Sequence, residues 1–160
     1  MFSLRSDTKV QTMKRGNLRK KEVTQFPSLS LLVEEECAIQ YRHAHSLYTN
    51  GEYEEALPLF EELVQAVPTE KSYWFCFAAA LQMTARYEEA LKAYATAALF
   101  DYDNITIHLQ AAECYLRLDD AIEAEKAVVI AEDIARENNI YDSDVEENIA
   151  LLHKKIKYKK

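Results

Sequence analysis

Apolar and small residues recur along this chain with a period of 34 residues. The segment YEEAL occurs at 53–57 and again at 87–91. When the chain is compared with itself at this offset, small residues align with small residues and large with large over three copies. The aligned sets are Ala44, Ala78 and Ala112; Leu47, Leu81 and Tyr115; Tyr53, Tyr87 and Ala121; Ala56, Ala90 and Ala124; Phe60, Tyr94 and Val128; and Leu63, Ala97 and Ala131. Local helix-forming composition does not keep such a phase over three units, so the pattern predicts a repeat architecture.

A 34-residue period is typical of tetratricopeptide repeats, in which each unit is two antiparallel helices and the units stack into a solenoid. The predicted fold class is therefore all-α. We expect an α-solenoid of three tetratricopeptide-like helix pairs with an N-terminal arm and a C-terminal capping helix. Only two glycines and three prolines interrupt the chain, which favours helices joined by short connections.

The predicted arm covers 1–30 and contains a candidate helix near 8–22. Pro27 marks the end of the arm, and Ser30 is the predicted N-cap of a helix that begins at Leu31. The tetratricopeptide domain is predicted over 31–160. Its repeats are expected at about 37–70, 71–104 and 105–138, and its capping helix at about 142–158, starting from Asp142 or Ser143.

Small residues are expected to set the contact between the two helices of each pair. A methyl group at this contact lets two backbones approach closely, whereas a larger side chain would hold them apart. Gly51 falls at the first turn between paired helices, where a left-handed conformation is expected. Ala85 and Asp119 occupy the same place in the next two units, so those turns are expected to close differently. Pro68 is expected to end the first unit.

Charge is distributed unevenly along the chain. The formal net charge is −8, but residues 1–21 carry +6 and residues 153–160 carry +5, which leaves −19 on the residues between them. An acidic body repels nucleic acid and anionic lipid, so no nucleic-acid partner is expected. The basic ends are either solvated tails or sites that attract an acidic partner or a second copy.

The sequence offers no sign of membrane insertion or of a disulfide framework. No apolar run is long enough to span a bilayer, and no apolar segment of a secretory leader follows the basic N-terminal residues. Cys37, Cys76 and Cys114 are widely spaced within helical patterns. An odd number of such thiols suits a reducing compartment and structural roles.

One face of each first helix is expected to line the concave side of the solenoid. Residues of this face are expected to form an apolar strip with a polar rim, and a trough of this kind binds extended peptide segments. The alternative is that these side chains pack between helices and the groove lies elsewhere. The predicted groove residues are Tyr41, His45, Tyr48, Phe75, Ala79, Gln82, Leu109, Glu113 and Leu116.

No catalytic or metal-binding constellation is found. His43 and His45 are separated by one residue and point to different helix faces, whereas a metal pair on a helix needs a spacing of three or four. No glycine-rich loop precedes a Lys and a Ser or Thr, so no phosphate-binding loop is present. We therefore expect no enzyme activity, no metal and no cofactor.

Repeats two and three carry a more specific resemblance. The segments ALQMTARYEEALKAYATAALFDYDN and HLQAAECYLRLDDAIEAEKAV, at 80–104 and 108–128, resemble the class II chaperones of bacterial type III secretion, the translocator chaperones of the low-calcium-response (SycD-like) group. The resemblance rests on AAECYL at 111–116, on YATAALFD at 94–101, and on three repeats followed by a C-terminal helix. It covers about 36–155.

This resemblance implies a function in the bacterial cytoplasm. Such chaperones bind hydrophobic translocator proteins through an extended client segment in the concave groove and keep them soluble until export. Tyr41, Tyr48 and Phe75 match the aromatic groove wall of the family, and His45 stands where an aromatic residue is common. Many relatives form homodimers through the N-terminal arm. The alternative function is a general tetratricopeptide scaffold that joins folded proteins through its acidic surface.

Overall fold

The computed structural model describes residues 27–140 and 142–159. These ranges contain helices and no strand. The helices are α1 (Pro27–Thr49), α2 (Tyr53–Ala66), α3 (Lys71–Met83), α4 (Tyr87–Phe100), α5 (Ile105–Arg117), α6 (Ala121–Glu137) and α7 (Ser143–Lys159). Each helix packs against the next along the chain, and each first helix also contacts the first helix of the following pair. The predicted all-α solenoid of three helix pairs and a C-terminal helix is confirmed.

The start of α1 differs from the prediction. The helix already includes Pro27, the first described residue, so Ser30 lies inside it and not at its N-terminus. Proline has no backbone N–H to lose and its fixed φ matches a helix, so it opens a first turn as readily as it ends a preceding segment. The candidate helix at 8–22 lies outside the described residues.

Alanines form the contact between paired helices, as predicted. All six side chains at this contact have no solvent exposure: Ala44, Ala56, Ala78, Ala90, Ala112 and Ala124. Phe60 and Tyr94 lie beside them at 0% and 1% exposure and fill the larger spaces of the first two pairs. The 34-residue pattern therefore reflects packing. Small residues recur because the two backbones approach closely in every helix pair.

The turns between paired helices share one conformation, contrary to the expectation that Gly51 would be distinct. Gly51, Ala85 and Asp119 all have positive φ, at 86°, 60° and 60°. In each turn the next N–H bonds back to a carbonyl five residues earlier, as in Glu52 to Leu47 at 2.9 Å, which is the Schellman arrangement. The geometry of the pair requires this turn, so Ala85 and Asp119 adopt a left-handed backbone at a conformational cost.

A side-chain anchor recurs at the junctions between pairs. The indole Nε1–H of Trp74 donates to the carbonyl oxygen of Pro68 at 2.8 Å. One period later, Nε2 of His108 lies 2.8 Å from the carbonyl oxygen of Tyr102. A carbonyl only accepts, so this nitrogen carries the proton. Two different side chains therefore fix the entry of α3 and of α5 in the same way.

The last helix begins farther along the chain than the 34-residue period predicts. Helix α6 has 17 residues whereas α2 and α4 have 14 each, and Asn139 ends it with the same left-handed turn at φ 54°. As a result α7 begins at Ser143, about 38 residues after α5 begins at Ile105, instead of 34. The N-terminus of α7 is capped by Asp142, whose carboxylate accepts from the Asp144 N–H at 2.9 Å.

The left-handed turns predict opposite effects of two matched substitutions. Ala85→Gly removes the steric penalty of a Cβ at positive φ and should stabilise the fold by about 0.5–1 kcal/mol. Gly51→Ala should destabilise it by about 1 kcal/mol through the backbone alone, because a Cβ at Gly51 would meet no atom within 4 Å. Urea denaturation followed by circular dichroism measures both. Destabilisation by Ala85→Gly would contradict this account of the turns.

Candidate peptide-binding groove

The first helices α1, α3 and α5 lie in one row, and side chains join neighbours within it. The hydroxyl of Tyr41 on α1 lies 3.5 Å from Sγ of Cys76 on α3. The amide Nε2 of Gln82 on α3 donates to Oε1 of Gln110 on α5 at 3.0 Å. Each contact joins a predicted groove residue to a residue of the next first helix that was not predicted, Cys76 or Gln110.

An aromatic cluster lies at the first two helices of the row. The ring of Tyr41 is 5.4 Å from that of Tyr73, 5.9 Å from that of His45, and 6.3 Å from that of Phe60 between centroids. Tyr41 and Tyr73 are half-buried, His45 is exposed, and Phe60 is in the core. Burial and the Cys76 contact raise the pKa of Tyr41 above its ordinary value. The cluster therefore contacts the core through Phe60 and leaves part of the ring surface of Tyr41 and Tyr73 exposed.

Two further predicted residues extend this surface. Tyr48 stacks edge-on to Tyr53 at 5.2 Å, and Phe75 stacks edge-on to Tyr94 at 5.8 Å. Both are half-buried, as is Ala79 one turn after Phe75. Edge-to-face pairs fix the orientation of each ring beyond what burial alone would do. The same rings therefore pack between helices, as the alternative interpretation expects, and keep part of their surface exposed to the groove side.

Gln82 is the polar centre of the row. Its Oε1 accepts from the hydroxyl of Tyr94 at 2.8 Å, while its Nε2 donates to Gln110. Tyr94 is 1% exposed, and this burial raises the pKa of its phenol. With a hydrogen bond at both its oxygen and its nitrogen, this amide links α3 to α4 and to α5.

In the third repeat the structure covers residues that were expected to be open. Leu109 and Leu116 are 8% and 4% exposed and pack in one apolar cluster with Leu152 and Ile156 of α7. Glu113 is half-buried and pairs with Lys155 of the same helix. Helix α7 therefore covers this part of the row, and the open apolar strip is confined to the first two repeats.

The client role of the nine predicted residues remains a prediction, but their surroundings are now defined. Six of them form or border the half-open surface of α1 and α3, and Leu109, Glu113 and Leu116 lie under α7. Sequence reasoning missed Cys76 and Gln110, which are one 34-residue period apart and follow directly after two predicted positions. Helix spacing alone could have placed both beside the groove, because adjacent residues on a helix differ by only about 100°.

No group of three His, Cys, Asp or Glu side chains that could hold a metal ion occurs among residues 27–140 and 142–159. Over the same part of the chain, none of the helices has the length and apolarity needed to cross a membrane.

The chain is similar to known translocator chaperones. No protein-family model matches it. Low calcium response locus protein H of Yersinia pestis is 24% identical over 120 residues, which are 75% of this chain and 71% of that protein. The structure of PcrH of Pseudomonas aeruginosa, in complex with the chaperone-binding region of PopD, superimposes with a TM-score of 0.67 at 25% identity. That match covers 79% of this chain and 92% of PcrH.

A second structure has the same fold. The type III secretion translocator chaperone SycD of Yersinia enterocolitica superimposes with a TM-score of 0.71 at 23% identity, over 78% of this chain and 94% of SycD. The resemblance to type III translocator chaperones that the sequence predicted is confirmed.

Buried tyrosines predict a loss of stability at alkaline pH. The folded protein raises the pKa of Tyr94 and of Tyr41, so both keep their protons where the unfolded chain releases them, near about pH 10. The unfolded state then binds fewer protons, and the free energy of unfolding falls as pH rises through about 10. Urea midpoints measured between about pH 8 and 11 should fall, and less steeply in Tyr94→Phe. An unchanged slope in that variant would contradict the assignment to Tyr94.

Proposed function

We propose that this chain is a cytoplasmic chaperone of bacterial type III secretion. It binds hydrophobic translocator proteins through an extended segment in the concave groove and keeps them soluble and competent for secretion. The observation that carries the proposal is the half-open aromatic surface on the row of first helices. PcrH, which is 25% identical and has the same fold, forms a complex with the chaperone-binding region of the protein PopD.

The groove residues act by hiding apolar client surface. Edge-on contacts with neighbouring rings fix the orientation of Tyr41, Tyr48 and Phe75, so binding does not have to order them. Tyrosine tolerates water when the groove is empty and contributes apolar area when it is filled. Each square ångström of apolar surface removed from water contributes about 25 cal/mol.

The ordering of an extended client offsets much of this gain. We therefore expect moderate affinity, which suits a client that is later released for export. Capture and release of this kind need no nucleotide, cofactor or metal, and the proposal includes no enzyme activity. It likewise includes no nucleic-acid partner and no membrane insertion of the chaperone itself.

A homodimer is part of the same proposal. The SycD structure is described as an alternative dimer of that protein. In this chain the basic arm at 1–30, which lies largely outside the described residues, is the proposed dimerisation segment.

The acidic body supports a second candidate function. Residues 22–152 carry a formal charge of −19, and exposed glutamates stand at the starts of α2 and α4. A general scaffold that binds folded basic partners would use this surface. Its binding would be abolished by salt and unaffected by groove substitutions, whereas apolar capture in the groove would persist in salt.

Two histidines on α1 offer a matched test of the groove. His45 lies beside Tyr41, whereas His43 is exposed on a different face two residues away. We expect His45→Glu to reduce client retention about tenfold, because a carboxylate beside the aromatic cluster must be desolvated when an apolar segment binds. His43→Glu should retain the client as wild type does. The measurement is co-purification after co-expression with the hydrophobic secreted proteins encoded in the same genome.

Phe75→Asp extends this test to α3 and should abolish retention. Phe75 also packs on Tyr94, so the variant is first checked for a normal helical spectrum and unfolding midpoint. Equal retention of clients by wild type, His45→Glu and a folded Phe75→Asp would exclude the groove as the binding site.

A further inference from the structure

We propose that α7 adds a client subsite to the groove, formed between α5 and α7, which takes one large apolar side chain of the extended client together with its flanking backbone. The inference rests on the proposed function and deepens it. It assigns to α7 a binding role beyond covering the end of the core.

The register of α7 places it in the row of first helices. With the 38-residue step, Leu152 corresponds to Cys114, and the two are 2% and 0% exposed. By the same step Asn148 corresponds to Gln110, and Leu151 corresponds to Glu113. The side of α7 that carries Asn148 and Leu151 therefore continues the face of α5 that carries the predicted groove residues.

A cavity of about 270 Å³ lies between the two helices. Its apolar wall consists of Leu109, Val145, Leu151 and Leu152. Leu151 is the most exposed of these four residues at 46%, which is a large exposed fraction for a leucine beside an apolar cluster. Covering it with a client side chain would remove further apolar area from water.

Polar residues of the cavity lining suit an extended backbone. Gln110 and Asn148 both line the cavity, and their amides can donate to and accept from peptide groups that an extended segment leaves unpaired. Asp144 also lines the cavity, and its carboxylate takes part in none of the ion pairs among the described residues. A client with a Lys or Arg next to its apolar anchor would complement this charge.

The cavity adjoins the polar centre of the row through Gln110. Gln110 lines it and also accepts the hydrogen bond from Gln82, the polar centre of the row. Glu113, which also lines the cavity, pairs with Lys155, and Lys159 bonds to the carbonyl oxygen of Leu116 at 2.6 Å, so these contacts tie α7 to α5. A segment lying on α1 and α3 can therefore pass over the Gln82–Gln110 bond into a cavity whose walls are already fixed.

Leu151→Gln tests the subsite, with Leu99→Gln as the matched control. Both leucines are exposed on helices, but Leu99 is 82% exposed on the second helix α4, away from the row. The probe is a fluorescein-labelled synthetic peptide with the sequence of the chaperone-binding region of PopD, and its binding to the full chain is measured by fluorescence anisotropy. We expect Leu151→Gln to weaken binding about five- to tenfold, because it removes the exposed apolar area of the leucine side chain that the client would cover. Leu99→Gln should bind as wild type does.

The outcomes separate this inference from the proposed function. Equal affinity of wild type and Leu151→Gln, with affinity still lost in His45→Glu, would overturn the α7 subsite and leave the groove of α1 and α3 intact. Equal losses in Leu151→Gln and Leu99→Gln would also overturn it, because the effect would not be local. A wild-type chain that does not bind the peptide would overturn the subsite for this class of segment, and co-expression with the chain's own clients would still test the proposed function.

Discussion

The close contact of alanines between paired helices is the constraint on which the rest of this structure depends. Six alanines with no exposed surface bring the two backbones of each pair together. This approach sets the angle of the pair, which in turn requires a short left-handed turn, even where the residue is Ala85 or Asp119. Stacking three such pairs aligns the first helices in one row, and Tyr41 and Phe75 lie on the face of this row that is predicted to line the groove.

Repetition explains the scaffold, and the departures from it explain the site. Positions at the helix contacts recur every 34 residues, whereas the groove positions change from Tyr41 to Phe75 to Leu109. The third position is covered by α7, which follows α5 at a step of 38 residues because α6 is longer than α2 and α4. The solenoid therefore offers an aromatic surface at one end and a partly polar cavity at the other.

The sequence predicts those features that depend on local periodicity. The alanine contacts, the helix pairs and the face of Tyr41 and Phe75 all follow from spacing. The left-handed backbone of Ala85 was not predicted, because turn propensity favours glycine and the geometry of the pair overrides it. The burial of Leu109 depends on where α7 lies, and the bond between Gln82 and Gln110 joins residues of two different repeats. Contacts of this kind arise from tertiary packing and leave no local signal.

The most direct test of the central claim is to map client binding onto the row of first helices. Amide NMR spectra of the full chain would be compared with and without the client segment that co-expression retains. The account predicts that the largest shifts fall in Pro27–Thr49 and Lys71–Met83, with further shifts in Ile105–Arg117 and Ser143–Lys159. Shifts concentrated in the second helices, Tyr53–Ala66, Tyr87–Phe100 and Ala121–Glu137, would contradict it.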